Sequence, residues 1–278
     1  MSDIDFNARL ELAKKIAVEA GKLTLKYFQT DQFEVQHKGD GSPLTIADQE
    51  SETFLRNEIA AAFPDDGIVG EEYGTTEGTS GYGWILDPID GTKSFITGVP
   101  LYGTMVAVEK FEDGDSDTKR QSIIGSIYFP GLDVGMFAAR GQGAWSFKGD
   151  EEPVRAHVSK KDSLSTSVMT TTSVDSFGKR DAQKTYEDLA SKMYFSRTWG
   201  DVYGYYLVAI GRVEVMVDPM LSIWDAAAVQ PIIEEAGGKF TDWTGESRID
   251  GGDAIGSNGI LHDEIVEATR KAAKLKSE

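Results

Sequence analysis

The 278-residue sequence contains no cysteine. That single absence removes disulfides, thiolate-bound zinc, iron–sulfur clusters and a cysteine nucleophile together. Histidine is nearly as scarce: His37, His157 and His262 are scattered along the chain and form no i, i+4 pair of the kind that ligates zinc on a helix, so a histidine-based mechanism is not expected. Positive charge is also short. With 28 Lys and Arg against 46 Asp and Glu, the formal net charge is −18. A nucleic-acid partner is not expected, because that binding is driven by clustered Lys and Arg that release counterions. A small anionic substrate stays open, but in so acidic a chain the local positive centre it needs points to a metal ion. No apolar run approaches the ~20 residues that a bilayer requires. The opening "MSDIDFNARL" has neither the basic start nor the apolar run of a secretory signal. The expectation is a soluble, cytoplasmic protein with no membrane partner.

What is present is a mixed pattern of helix and strand. Phe6, Leu10, Ala13, Ile16, Ala17, Ala20 and Leu23 recur at helical spacing and predict a helix over residues 5–28. "HKGDGSP" breaks it, and "TIAD" from Thr45 resembles a capping box that opens a second helix ending before Pro64. Strands are expected at "GWILD", "LYGTMVAVEK", "SIIGSIYF" and "VGMFAAR". Beyond a seam near 145–155 the chain alternates: a strand over 165–172, helices over 179–192 and 200–211, the strand "VEVMVD", and the helix "WDAAAVQPIIEEAGG". Short strands at "GKFTDW" and "DAIGSN" and a last helix from Ile260 complete it. The class is α+β, with residues 1–150 and 151–278 expected as two lobes of one compact unit.

The chemistry gathers around carboxylates. In "GWILDPIDGTKSF", Asp87 and Asp90 can be read as turn formers around Pro88 and Gly91. They can equally be the oxygen cage that an apolar strand delivers at its tip, which suits a hard cation such as Mg²⁺. If Gly91 and Thr92 open a helix, their N–H groups face the same point and favour phosphate. Glu71-Glu72 in "IVGEEYG" reads as a solvated loop or as a second acidic pair at a strand end. Asp225 in "IWDAAAVQ" sits where a helix N-cap belongs, and Asp48 where a first-turn acid favours the helix dipole.

Together the segments "LTIADQE", "VGEEYG", "WILDPIDGTKSF" and "IWDAAAVQPIIEEAGG" resemble the signatures of the inositol monophosphatase superfamily, over nearly the whole chain. The resemblance implies an αβαβα layered sandwich and a metal-dependent phosphatase with two or three Mg²⁺ ions, working as a homodimer. By matched position it implies Glu71, Asp87, the Ile89 carbonyl, Asp90 and Asp225 as metal ligands, most of them in the first lobe. Thr92 and Asp48 match the pair that orients the attacking water, with Glu71 beside them, and Gly91 and Thr92 match the phosphate-binding amides. Glu72 falls outside the ligand set. Four carboxylates facing one cavity repel one another unless cations compensate, so metal belongs to the resting enzyme.

Within the superfamily, Ser94 in "DGTKSF" and the segment "RTWGDVYGYYLVAIGR" resemble the histidinol-phosphate phosphatase branch. The positions that contact the substrate's alcohol align with Asp201 and Asp218, and two carboxylates suit a cationic alcohol such as L-histidinol. Either acid can instead serve a helix cap or the turn "VDPM". Trp199 and Tyr203 can flank an imidazole or read as core aromatics, and Lys38 reads as a solvated residue before a glycine-rich flap. The alternatives are an inositol-1-phosphate or broad sugar-phosphate phosphatase, or a catalytically silent binding regulator. An aspartyl-nucleophile phosphatase is discounted, because "DIDFN" has the Asp spacing but no preceding strand.

Overall fold

The structure, a computed structural model, describes residues 3–30, 34–37, 39, 43–111 and 120–274. Lys38 and residues 40–42 of the expected flap lie outside the described residues, as does most of the acidic loop after Phe111. In chain order the elements are α1 (Asp3–Thr24), β1 (Gln36–His37), β2 (Pro43–Leu44), α2 (Ile46–Ala62), β3 (Gly67–Gly70), β4 (Gly74–Thr76), β5 (Tyr82–Asp90), α3 (Thr92–Ile96), β6 (Gly103–Lys110), β7 (Ser122–Phe129), β8 (Val134–Ala139), β9 (Gly143–Lys148) and β10 (Val154–Arg155). There follow β11 (Val168–Thr170), α4 (Val174–Lys179), α5 (Gln183–Lys192), β12 (Phe195–Arg197), α6 (Asp201–Ala209), β13 (Val215–Asp218), α7 (Ile223–Ala227), α8 (Val229–Glu235), β14 (Lys239–Thr241), β15 (Ala254–Ser257) and α9 (His262–Lys274). No helix among the described residues is long and apolar enough to cross a membrane.

Two sheets organise the chain: eight strands in the order β10-β9-β8-β7-β6-β5-β3-β4, and five in the order β12-β11-β13-β15-β14. The period-two alternation of strands explains how the larger sheet is covered on both sides. Trp84, Leu86, Val106 and Val108 point to one face and pack with Leu10, Ala13, Ile16 and Leu55 of α1 and α2. Their neighbours Ile85, Met105 and Ala107 point to the other face and join Val202, Tyr205, Ala226, Val229 and Ile232 of α6, α7 and α8. The same core continues to Val168 and Met216 of the second sheet. The far face of that sheet, through Met169, Val215 and Val217, packs on Phe177, Leu189 and Ile265 of α4, α5 and α9. The result is five alternating layers, αβαβα.

Several expected elements change shape for local reasons. The long helix expected to Phe28 ends at Thr24, whose hydroxyl donates to the Gly21 carbonyl (2.6 Å) and meets the Tyr102 hydroxyl (2.8 Å), and turns follow to Thr30. The helix expected over 179–192 begins only at Gln183, because Asp181, at φ 57°, separates it from a distinct helix α4 that ends at Lys179. The "WDAAAVQPIIEEAGG" helix divides at Ala228. Pro231 lies three residues on, and a proline cannot donate the amide bond that would carry α7 straight into α8.

That break presses on the sheet at Gly125 of β7, where a Cβ would stand 2.1 Å from the Ala228 carbonyl oxygen. Only glycine lets the α7–α8 junction approach the sheet this closely. Gly125→Ala should cost about 1–3 kcal/mol, the range for overpacking. A denaturant titration would check it, and an unchanged midpoint would contradict the packing.

Candidate active site

Asp87 and Asp90 do not flank a turn. Strand β5 runs through both, and its pairing with β6 slips between them: Asp87 lies opposite Met105, Asp90 opposite Gly103. Three steps on β5 match two on β6, which is a bulge at Pro88-Ile89. Side chains three apart on a regular strand point to opposite faces, and one extra residue cancels that parity. Pro88, with no N–H to donate, fits a break in the ladder, and its carbonyl accepts from the Thr104 hydroxyl at 2.8 Å. The Ile89 amide donates to Asp87 Oδ1 (3.1 Å), and the Ile89 carbonyl accepts from Thr92 Oγ1 (3.2 Å).

Glu71 arrives from the neighbouring strand. Gly70 of β3 lies beside Leu86 in a parallel pairing, and the Glu71 amide donates to the Leu86 carbonyl at 3.3 Å, so Glu71 ends its strand next to Asp87. The C-terminal ends of adjacent parallel strands are a recurrent place for ligand-binding groups.

Two helix starts complete the cluster by the same device. In α2 the N-cap is Thr45 and the third residue Asp48; in α7 they are Ser222 and Asp225. Asp48 Oδ2 accepts from the Thr45 amide (2.7 Å) and hydroxyl (2.6 Å), and Asp225 Oδ2 accepts from the Ser222 amide (2.7 Å). Asp225 is therefore the third helical residue, and the cap is Ser222, not Asp225 as its place in the sequence suggests. Capping and ligation do not compete, because each carboxylate spends one oxygen on the box and keeps another. In Asp48 that other oxygen, Oδ1, is buried without a hydrogen-bond partner.

One oxygen from each of Asp87, Asp90 and Asp225 lies within 4.8 Å of the others. Burial raises the Asp87 carboxyl well above the usual range, and Glu71, Asp90 and Asp225 raise it further. Burial likewise raises Asp90, with Asp201, Asp225 and Glu71 adding to it. Asp225 is pushed up to about 7 and Asp48 to about 6, in both cases by burial first and with Glu71 adding to the rise. Such a set of carboxylates is unfavourable as bare anions and well matched to a hard divalent cation. The orphaned Asp48 Oδ1 and the all-oxygen donor set fit that group.

Asp201 stands across the cluster at the start of α6, in the left-handed region at φ 53°, and its amide donates to Thr172 Oγ1 (2.9 Å). The next amide, that of Val202, donates to Asp90 Oδ2 at 2.5 Å. Burial raises the Asp201 carboxyl, while Lys93 and a hydrogen bond from Ser94 pull it back down. Gly91, at φ 83°, lies so close that a Cβ would stand 2.9 Å from Asp201 Oδ2. A small cavity of about 60 Å³ lies here, lined in part by Asp90, Asp225, Asp201, Thr172, Met220 and Leu221.

Asp218 is placed differently from the expectation of substrate contact. It is 1% exposed, Oδ1 accepts from the Thr172 amide (2.8 Å) and Oδ2 from the Tyr205 hydroxyl (3.1 Å). As placed it holds Thr172 and Tyr205 around the cavity and does not line it. Tyr203 packs edge-on against Phe129 at 5.3 Å as a core aromatic, and Trp199 is 39% exposed. The Glu72 amide donates to Glu52 Oε2 at 2.8 Å. Glu52 is not among the residues that the sequence motifs single out. The available signal was its position four residues after Asp48, on the same side of the helix.

Comparison with known proteins places the chain in a family. The family model described as "Inositol monophosphatase family" matches residues 7–274. A histidinol-phosphatase of Chlorobaculum parvum is 41% identical over 260 residues, 93% of this chain and 95% of that protein. A histidinol-phosphatase of Mycobacterium tuberculosis is 34% identical over 257 residues, 92% of this chain and 96% of that protein. Among solved structures, the extragenic suppressor protein SuhB of Bartonella henselae superposes with a TM-score of 0.83 at 26% identity, covering 95% of this chain and 99% of that one. With the layered fold, the carboxylate cluster and this coverage in agreement, the chain belongs to the inositol monophosphatase family of phosphomonoester hydrolases.

Proposed function

We propose that this chain is a Mg²⁺-dependent phosphatase that hydrolyses L-histidinol phosphate to L-histidinol and phosphate, a step in histidine biosynthesis. The observation that carries the reading is the meeting of Asp87, Asp90 and Asp225 oxygens within 4.8 Å, with the Asp201 carboxylate beside them. Glu71, Asp87, the Ile89 carbonyl, Asp90 and Asp225 are assigned to hold two or three cations. When bound there, the cations supply Lewis-acid polarisation of the phosphoryl oxygens and acidify water.

The chain's own groups do the rest. Asp48, anchored through Oδ2, has Oδ1 to accept a proton from the attacking water, and the Thr92 hydroxyl is its partner in aiming that water. The amides of Gly91 and Thr92 are assigned to the phosphoryl oxygens. Water attacks phosphorus in line, the bond from phosphorus to the alcohol oxygen breaks with its electron pair on that oxygen, and no phosphoenzyme forms. Histidinol carries an ammonium and a protonatable imidazole, and Asp201 is the acid at the cavity placed to pair with that charge. The 41% and 34% identical relatives named as histidinol-phosphatases support the same substrate.

The test is kcat/KM measured side by side for histidinol phosphate, inositol 1-phosphate, fructose 1,6-bisphosphate and 3′-phosphoadenosine 5′-phosphate. Histidinol phosphate should lead. A lead for another ester would reassign the substrate, and no turnover of any would leave a binding protein. Asp201→Asn should raise KM for histidinol phosphate about tenfold or more, the value of a charge-assisted bond, and change KM for inositol 1-phosphate far less. Equal effects on both would contradict the charge argument.

A further inference from the structure

Helix α2 carries a stripe that serves Glu71. Asp48, Glu52 and Arg56 recur every fourth residue, so they share one side of the helix, and that side meets the β3–β4 hairpin. Glu52 is 0% exposed. A carboxylate so far from water is costly unless its oxygens are taken up, and here the hairpin and Arg56 take them up. Oε2 accepts from the Glu72 amide (2.8 Å), and Oε1 accepts from the Tyr73 amide (3.2 Å) and from Arg56 Nε (2.8 Å). The same guanidinium donates from Nη2 to the Gly74 carbonyl (2.5 Å) and from Nη1 to Thr76 Oγ1 (3.1 Å). On the other side of Glu71, Gly70 lies so close that a Cβ would be 2.1 Å from Glu52 Oε1 and 2.7 Å from Arg56 Nη2.

Residues 70, 72, 73 and 74 are thus each bonded to or pressed against the Glu52–Arg56 pair, with Glu71 in the middle. Glu71 has its own backbone tie to Leu86. We propose that Glu52, braced by Arg56, is the positioning residue for Glu71: it fixes the hairpin so that the Glu71 carboxylate is aimed at the Asp87–Asp90–Asp225 cluster, and it thereby sets that cluster's affinity for divalent cations. The proposal rests on the reading of the cluster as a cation site. A tether for the hairpin alone needs no buried ion pair, since apolar groups of similar volume hold segments together at least as well. Aiming a ligand does need a fixed backbone, because metal ligands must be held within about 0.5 Å of their working place. Asp48 sits one helical turn away on the same rigid helix, so α2 sets two members of the site at once.

The experiment measures Mn²⁺ affinity by the electron paramagnetic resonance signal of the free ion, on the full chain with no substrate present. Glu52→Gln should weaken Mn²⁺ binding about 10–100-fold, the usual loss when a group that orients a metal ligand is changed. In a Glu71→Gln background the same change should alter affinity less than about twofold, because its effect passes through Glu71. Arg56→Met, at a partly exposed side chain, should shift affinity in the same direction by a smaller factor, and it carries the test if Glu52→Gln does not fold. A lowered melting temperature with unchanged Mn²⁺ affinity in the folded variants would make the pair a structural tether and overturn the proposal. A full loss that persists in the Glu71→Gln background would overturn it as well. Wild-type protein that binds no Mn²⁺ would overturn the cation reading itself, which is a different result from binding that Glu52 fails to influence.

Discussion

Asp90→Asn should lower kcat/KM at saturating Mg²⁺ by at least about 10³-fold, more than the 10–100-fold attached to groups that only orient a ligand. The same substitution should raise the melting temperature of the cation-free protein. The two effects have one origin. Asp90 is buried against Asp201, Asp225 and Glu71, so in the absence of a cation its charge is a liability that a neutral amide removes. Asparagine also keeps an oxygen for the Val202 amide, so the start of α6 stays capped and the variant folds. For a chain of this size each ~1 kcal/mol of relieved repulsion raises the melting temperature by roughly 2–4 °C. Activity and cation-free stability therefore move in opposite directions. A variant with near-normal turnover, or one that loses activity together with cation-free stability, would show that Asp90 has another role.

Stability of the cation-free protein should fall as pH rises from 6.5 to 8, and Mg²⁺ should restore it, more at pH 8 than at 6.5. The sign follows from proton linkage. A carboxyl whose folded pKa is raised binds a proton more tightly in the native state than when unfolded. Stability then declines as pH climbs from the unfolded value through the folded one. Asp48 completes that decline at about 6 and Asp225 at about 7, while Asp87 and Asp90, raised well above the ordinary carboxylate range, continue it upward. His262 works in the opposite direction: burial lowers it to about 4 from 6.5, so it adds stability as pH rises through that interval and nothing beyond. Above 6.5 the raised carboxyls remain as the opposing set. Thermal melts across pH, with and without Mg²⁺, check the point. A flat profile without cation, or a Mg²⁺ effect that shrinks toward pH 8, would mean that the carboxylates do not share one strained site.

Much of this site is legible in the sequence because its parts are local. The capping box at Thr45 and Asp48 needs four residues, and the apolar run before Asp87 is a strand whatever surrounds it. What escapes is set by pairing and burial. "DPID" has turn composition, and only the register against β6 shows the bulge that brings Asp87 and Asp90 to one side. The strands β3, β4, β10 and β12 are two to four residues long, too short for a period to register. Glu52 looks like any acid on a helix face until Glu72, Tyr73 and Arg56 close over it. Asp218 carries the composition of a substrate contact, but both its oxygens turn inward to Thr172 and Tyr205.

On this reading Asp87 and Asp90 of β5 and Asp225 of α7, with Glu71 just past the end of β3, hold divalent cations next to Asp201. The most direct test is a crystal grown with Mn²⁺ and measured for anomalous scattering. The expected result is a manganese peak bonded to oxygens of Asp87, Asp90 and Asp225, with Glu71 or the Ile89 carbonyl completing the shell at a second peak. A map with no peak among these carboxylates, or with manganese bound only elsewhere on the acidic surface, would contradict it.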